Sequence, residues 1–82
     1  MKWDKFVPSE VEYDWEKDKL SAHSVTFEEA VETFYNEYEV RRNKRFKDRR
    51  QLIGRTDDGR KLKIIFQLKQ GNIVRIITGW QI

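Results

Sequence analysis

Residues 60–69 read RKLKIIFQLK, and they alternate strictly. Leu62, Ile64, Phe66 and Leu68 fall on one side, and Lys61, Lys63, Ile65, Gln67 and Lys69 fall on the other. A period of two with one apolar and one basic side predicts a half-buried strand of an antiparallel sheet. Working outward, TDDG (56–59) turns into this strand, because Asp58-Gly59 tolerates the backbone that tight turns need. QGN (70–72) turns out of it into NIVRIITGW (72–80), which is apolar on both sides and suits a well-covered strand. RRQLIGR (49–55) precedes the first turn, so the stretch reads as an antiparallel meander.

Upstream the period changes. Thr26 and Glu29 in TFEE (26–29) have the spacing of a capping box, in which hydroxyl and carboxylate satisfy backbone donors reciprocally. Phe27, Ala30, Val31, Phe34 and Tyr38 then recur at three and four, which predicts one apolar helix stripe lying on a sheet. VEYDW (11–15) alternates as a short strand, and Asp14 stands where it can cap a short helix through EKDKLSAH (16–23). MKWDKFVPSE (1–10) has no period and reads as an N-terminal extension, with Trp3, Phe6 and Val7 docking on a single domain over residues 11–82. The expected fold class is α+β, with two N-terminal helices packed on one face of a three- to four-stranded, mainly antiparallel sheet.

Composition narrows the chemistry. The chain has 82 residues, no cysteine and one histidine, which excludes disulfides and disfavours an ordinary zinc site. No apolar run approaches the roughly 20 residues that span a bilayer, and MKWDKF has no signal-peptide core, so a cytoplasmic protein is expected. The net charge of +3 conceals an asymmetry. Residues 1–40 hold four basic and eleven acidic residues, and residues 41–82 hold thirteen basic and three acidic ones. A basic half implies an anionic partner, unless the acidic half folds over it and neutralises it. RRNKRFKDRR (41–50) concentrates the charge between two strand-like stretches, so it reads as a hairpin connection with its tip at 44–47.

The segments DWEKDKLSAHSVTFEEAVETFYN (14–36) and DRRQLIGRTDDGRKLKIIFQLKQGNIVRIITGW (48–80) resemble the BrnT toxins, and together they cover nearly the whole chain. The first is similar to that family's strand, short helix, Lys-His-Gly-Val-Ser-Phe-Glu-Glu-Ala and helix. The second is similar to its Ile-Gly-Arg, Asp-Gly-Arg and Arg-Ile-Ile-Ser-Ala-Arg meander. The resemblance implies a RelE-like fold and a metal-independent ribonuclease of a bacterial toxin–antitoxin pair, without cofactor. It also implies a DNA-binding antitoxin of ribbon-helix-helix type as partner. Ala22-His23-Ser24 stand where the family has Lys-His-Gly, and Trp80 stands where it commonly has arginine.

Metal-free RNA cleavage needs proton transfer and fixed cations, and arginine matches phosphate oxygens in two places. Asp48 and Arg49 resemble the acid–arginine pair that opens the family's second strand, and with His23, Arg55 and Arg75 they are the catalytic candidates. Each has a plainer reading beside it. His23 either transfers protons or interacts with the last carbonyls of a short helix. Asp48 and Arg49 form either a functional ion pair or a surface one. Arg75, inside an apolar strand, is either aimed at an open site or salt-bridged to a helix glutamate. Arg41, Arg42, Lys44, Arg45, Lys61 and Lys63 are the candidates for RNA binding. The strand lysines equally protect an exposed sheet edge, and Phe46 either stacks on a base or anchors its loop. Two other functions stay open: a non-catalytic RNA-binding or protein-interaction domain of the same fold, and a module whose acidic helix face meets a basic partner.

Overall fold

The alternating residues at 60–69 do form a strand, and it lies at the centre of the sheet. The structure is a computed structural model that describes residue 8, residues 10–42 and residues 48–82. The docking of Trp3, Phe6 and Val7 and the loop residues Lys44, Arg45 and Phe46 lie outside the described residues. In chain order the elements are β1 (Glu10–Tyr13), α1 (Phe27–Thr33), β2 (Tyr38–Arg42), β3 (Arg49–Arg55), β4 (Lys61–Lys69) and β5 (Ile73–Gln81). They make one five-stranded sheet in the order β1-β5-β4-β3-β2. The β2–β3, β3–β4 and β4–β5 pairs are antiparallel, whereas β1 runs parallel to β5, with Val11 opposite Val74.

This corrects the expected fold class. The described chain has one α-helix rather than two, and five strands in a mixed sheet rather than three or four. The reason the first helix fails is local. The Asp14 carboxylate accepts from the N–H groups of Glu16 (3.1 Å) and Lys17 (3.4 Å), but Asp18 then takes a left-handed backbone, φ 38°, which ends any helical run. The Tyr13 hydroxyl holds the loop open by donating to Asp18 (2.7 Å) and accepting from the Leu20 N–H (2.9 Å). Between residues 14 and 24 only Leu20 is buried, so a helix there would have no apolar stripe to seat. What remains is one 3₁₀ turn, Ser21–His23.

The second helix forms where its cap dictates. Glu29 N–H donates to the Thr26 hydroxyl (3.1 Å), and Thr26 N–H donates to the Glu29 carboxylate (3.0 Å). The helix stops at Thr33, so Tyr38 belongs to β2 rather than to the helix stripe. Ala30 and Phe34 face the sheet, where they meet Val40, Leu52, Leu62, Ile64, Phe66, Val74 and Ile76. Phe34 stands edge-on to Phe66 with centroids 5.2 Å apart. Leu20 reaches the sheet at Gly79, where an added Cβ would lie 2.5 Å from Ile64 Cδ1 and 3.1 Å from Leu20 Cδ2. The core cluster thus occupies the face that carries α1; on the other face Ile65 is buried as well, and among the described residues no helix lies there.

Arg60 fastens the helix to the meander. It donates to the Glu29 carboxylate at 2.6 Å, to Gln81 Oε1 at 3.2 Å and to the Ser24 carbonyl at 3.3 Å. The Thr26 N–H, and then the Arg60 guanidinium, hold the Glu29 carboxyl below its ordinary value of 4.5. The Thr56 hydroxyl holds Asp58 low in the same way. A carboxyl with a depressed folded-state pKa stabilises the fold above its unfolded value and loses that contribution as pH falls through the folded one. Glu29→Gln is therefore expected to cost about 2 kcal/mol at neutral pH, since it removes a charged hydrogen-bond partner from a mostly buried pair. The gap between variant and parent should narrow below pH 4.5. Denaturant unfolding at pH 7 and at acid pH measures both; equal gaps at the two values would contradict the assignment.

Candidate functional site

Because strands alternate, the face turned away from α1 is built from the residues between the core positions. Register places four of them in one row across the sheet: Glu12 on β1, Arg75 on β5, Gln67 on β4 and Arg49 on β3. Arg75 interrupts the apolar run of β5 because Val74 and Ile76 point into the core and it does not. It forms no salt bridge with a helix glutamate, since α1 lies on the opposite face. Glu12, directly opposite, gives its carboxylate to Lys69 instead, at 2.9 Å. The Arg75 side chain has no hydrogen bond or ion pair with any of the described residues.

Next to this row the chain leaving β1 folds back over the sheet. The result is an open cleft of about 240 Å³ lined by Asp14, Lys17, Lys19, Arg49, Gln67, Arg75, Ile76 and Ile77. Four cations converge there against one carboxylate, and Asp14 Oδ1 already accepts from the two backbone N–H groups of its own turn. A bulge shapes the floor. Phe66 pairs with Ile76 and Ile65 with Thr78, so Ile77 has no opposite residue and is left over to line the cleft. Asp48 sits beside the row and accepts from Gln67 Nε2 at 3.0 Å, which fixes the amide between the two arginines. Two arginines in one row across the sheet, with an oriented amide between them, suit phosphate oxygens.

The other candidates lie elsewhere. His23 is exposed and stands with Trp80, ring centroids 5.9 Å apart, while Trp80 is paired in register with Lys63. From Lys63 to Gln67 is four residues of β4, about 13 Å at strand rise, so His23 and the arginine row are separate places on the sheet. Arg55 is exposed at the β3–β4 turn, where it donates to the Gly59 carbonyl at 3.1 Å, and its register partner is Lys61. Arg41 shares the open face but is on the edge strand β2 and paired with Glu39 at 3.0 Å. Arg42 alternates onto the side of Val40, away from the open face.

Lys17, Lys19, Asp14 and Gln67 were not among the sequence candidates. Gln67 had a signal, since it sits on the basic side of RKLKIIFQLK. The lysines had none, because only the parallel pairing of β1 with β5 carries them to Arg75. Among the described residues there is no cluster of His, Cys, Asp and Glu that could hold a metal ion, and no helix is long and apolar enough to cross a membrane. Comparison of the chain with protein-family models, with curated proteins and with solved structures yields no match.

Proposed function

We propose that this protein is a metal-independent endoribonuclease toxin of a bacterial toxin–antitoxin pair, similar to the BrnT toxins, and that it cleaves RNA at the cleft on the open face. The observation that carries this reading is the convergence of Arg49 and Arg75 in one row with Lys17 and Lys19 around the same small volume. The likeness of residues 14–36 and 48–80 to the toxin family supports it. In this mechanism the RNA 2′-oxygen gives up its proton and bonds to phosphorus. The bond from phosphorus to the 5′-oxygen breaks, that oxygen takes a proton from water, and the two arginines stabilise the charge on the phosphorane oxygens. Asp48 is the carboxylate next to the row and is assigned the role of base for the 2′-hydroxyl. The partner that neutralises the toxin is a ribbon-helix-helix antitoxin, and the substrate places the protein in the cytoplasm.

A second reading is favoured by one observation: His23 stands with Trp80 rather than in the cleft. On that reading the chain binds RNA without cutting it. Incubating the protein with single-stranded RNA in the presence of a chelator separates the two. The expected result is fragments ending in a 2′,3′-cyclic phosphate, with Asp48→Asn slowing their appearance at least about tenfold. RNA that is bound but stays intact would overturn the nuclease and select the binding domain.

A further inference from the structure

The open face carries a second feature, which the cleft does not use. Trp80 lies half-buried on β5, in the row of Lys63. Two groups attend its ring. The Lys63 ammonium is 5.9 Å from the ring centroid, a cation–π distance, and the His23 ring is 5.9 Å away at a tilt of 53°. β1 pairs with β5 only as far as Ile76, so Trp80 lies beyond the reach of the neighbouring strand. An indole with a lysine over it and an imidazole beside it is a surface on which a planar ring can stack next to a cation.

Resting on the RNA reading above, we infer that the ligand is single-stranded RNA that runs from the arginine row to Trp80 past Ile65, whose burial leaves no base contact between the two ends. One phosphate sits between Arg49 and Arg75, and a base further along the strand stacks on Trp80 beside His23. The separation of about 13 Å between the two rows requires a strand rather than a mononucleotide. Duplex RNA is excluded because its bases are already stacked on one another and offer no free face. Lys63 leaves the indole when the base arrives and pairs with the phosphate that comes with it. His23 thereby acts as a wall of the base site.

The test uses an eight-nucleotide 2′-O-methyl RNA, which cannot be cleaved. It is offered as a single strand, as the same sequence annealed to its complement, and as a single strand of abasic sites. Fluorescence anisotropy of an end label reads the affinity. The parent protein should bind the intact single strand about tenfold more tightly than either other form, in keeping with base–aromatic stacking. Trp80→Ala should lose that tenfold on the intact strand and nothing on the abasic one, while Trp80→Phe keeps most of it. The comparison of three ligands on the parent protein stands even where Trp80→Ala fails to fold. Equal affinity for single strand and duplex, or a folded Trp80→Ala with unchanged affinity, would overturn the base site. If Arg49→Glu with Arg75→Glu still abolished binding in that case, the RNA surface would survive without it. No binding of any form by the parent would remove both.

Discussion

Replacing Arg49 and Arg75 together by glutamate is expected to weaken RNA binding at least about a hundredfold at 0.1 M salt. The two positions stand in one row on either side of Gln67, so a single phosphate can be reached from both. Each arginine offers charge-assisted bonds, and each glutamate adds repulsion at the same place. Arg75 has no partner to lose among the described residues, so its reversal costs the folded chain little. The salt dependence gives a second reading of the same event. Each phosphate contact on a single strand contributes about −0.7 to the slope of log K against log salt. The double variant should therefore flatten that slope by more than one unit. Arg55→Glu, at the far turn, is the contrast, and its effect should stay within about threefold, the size of a purely long-range charge effect. If Arg55→Glu and the double variant weakened binding alike, the net charge of the face, and not the cleft, would be responsible.

Phe66→Ala has the largest expected effect on stability, about 4 kcal/mol. Phe66 is completely buried at the centre of β4, edge-on to Phe34 of the segment that ends α1, and flanked by Leu62 and Ile64 on the same strand. It also sits at the bulge, where Ile77 is extruded, so the sheet cannot close over the cavity by simple sliding. In a domain of this size each kcal/mol moves the midpoint by roughly 4–8 °C, so the melting temperature should fall by about 20 °C. Calorimetry or far-ultraviolet dichroism measures it. A fall below about 5 °C would mean that the helix does not depend on this contact to stay on the sheet.

How much of this was legible depends on the range of the interaction. The alternation of Leu62, Ile64, Phe66 and Leu68 fixes which side of β4 is buried, because side-chain direction in a strand is a local property. The Thr26–Glu29 cap is legible for the same reason. The hairpin joining β2 to β3 could be read around the basic run, with Arg42 now found opposite Arg50. The segment 16–23 was misread because helix propensity cannot see the Tyr13 hydroxyl, which holds Asp18 and Leu20 in an open loop. The first strand was expected at 11–15, but its parallel pairing was not, because Val11 meets Val74 across almost the full chain and no local pattern announces such a partner. The site divides along the same line. An arginine flanked by buried Val74 and Ile76 must face outward, and that is readable. That Lys17 and Lys19 come to stand beside it depends wholly on the long-range pairing.

That pairing also sets a schedule for the birth of the protein. β5 lies between β4 and β1, so the first strand to leave the ribosome has no partner until a strand more than sixty residues downstream follows it out. The lysines of the cleft are made early, and Arg75 is made near the end. Contacts so distant in sequence form late and slowly. A nascent chain therefore carries the pieces of the cleft without the cleft itself, and its cations come together only when synthesis of β5 is over.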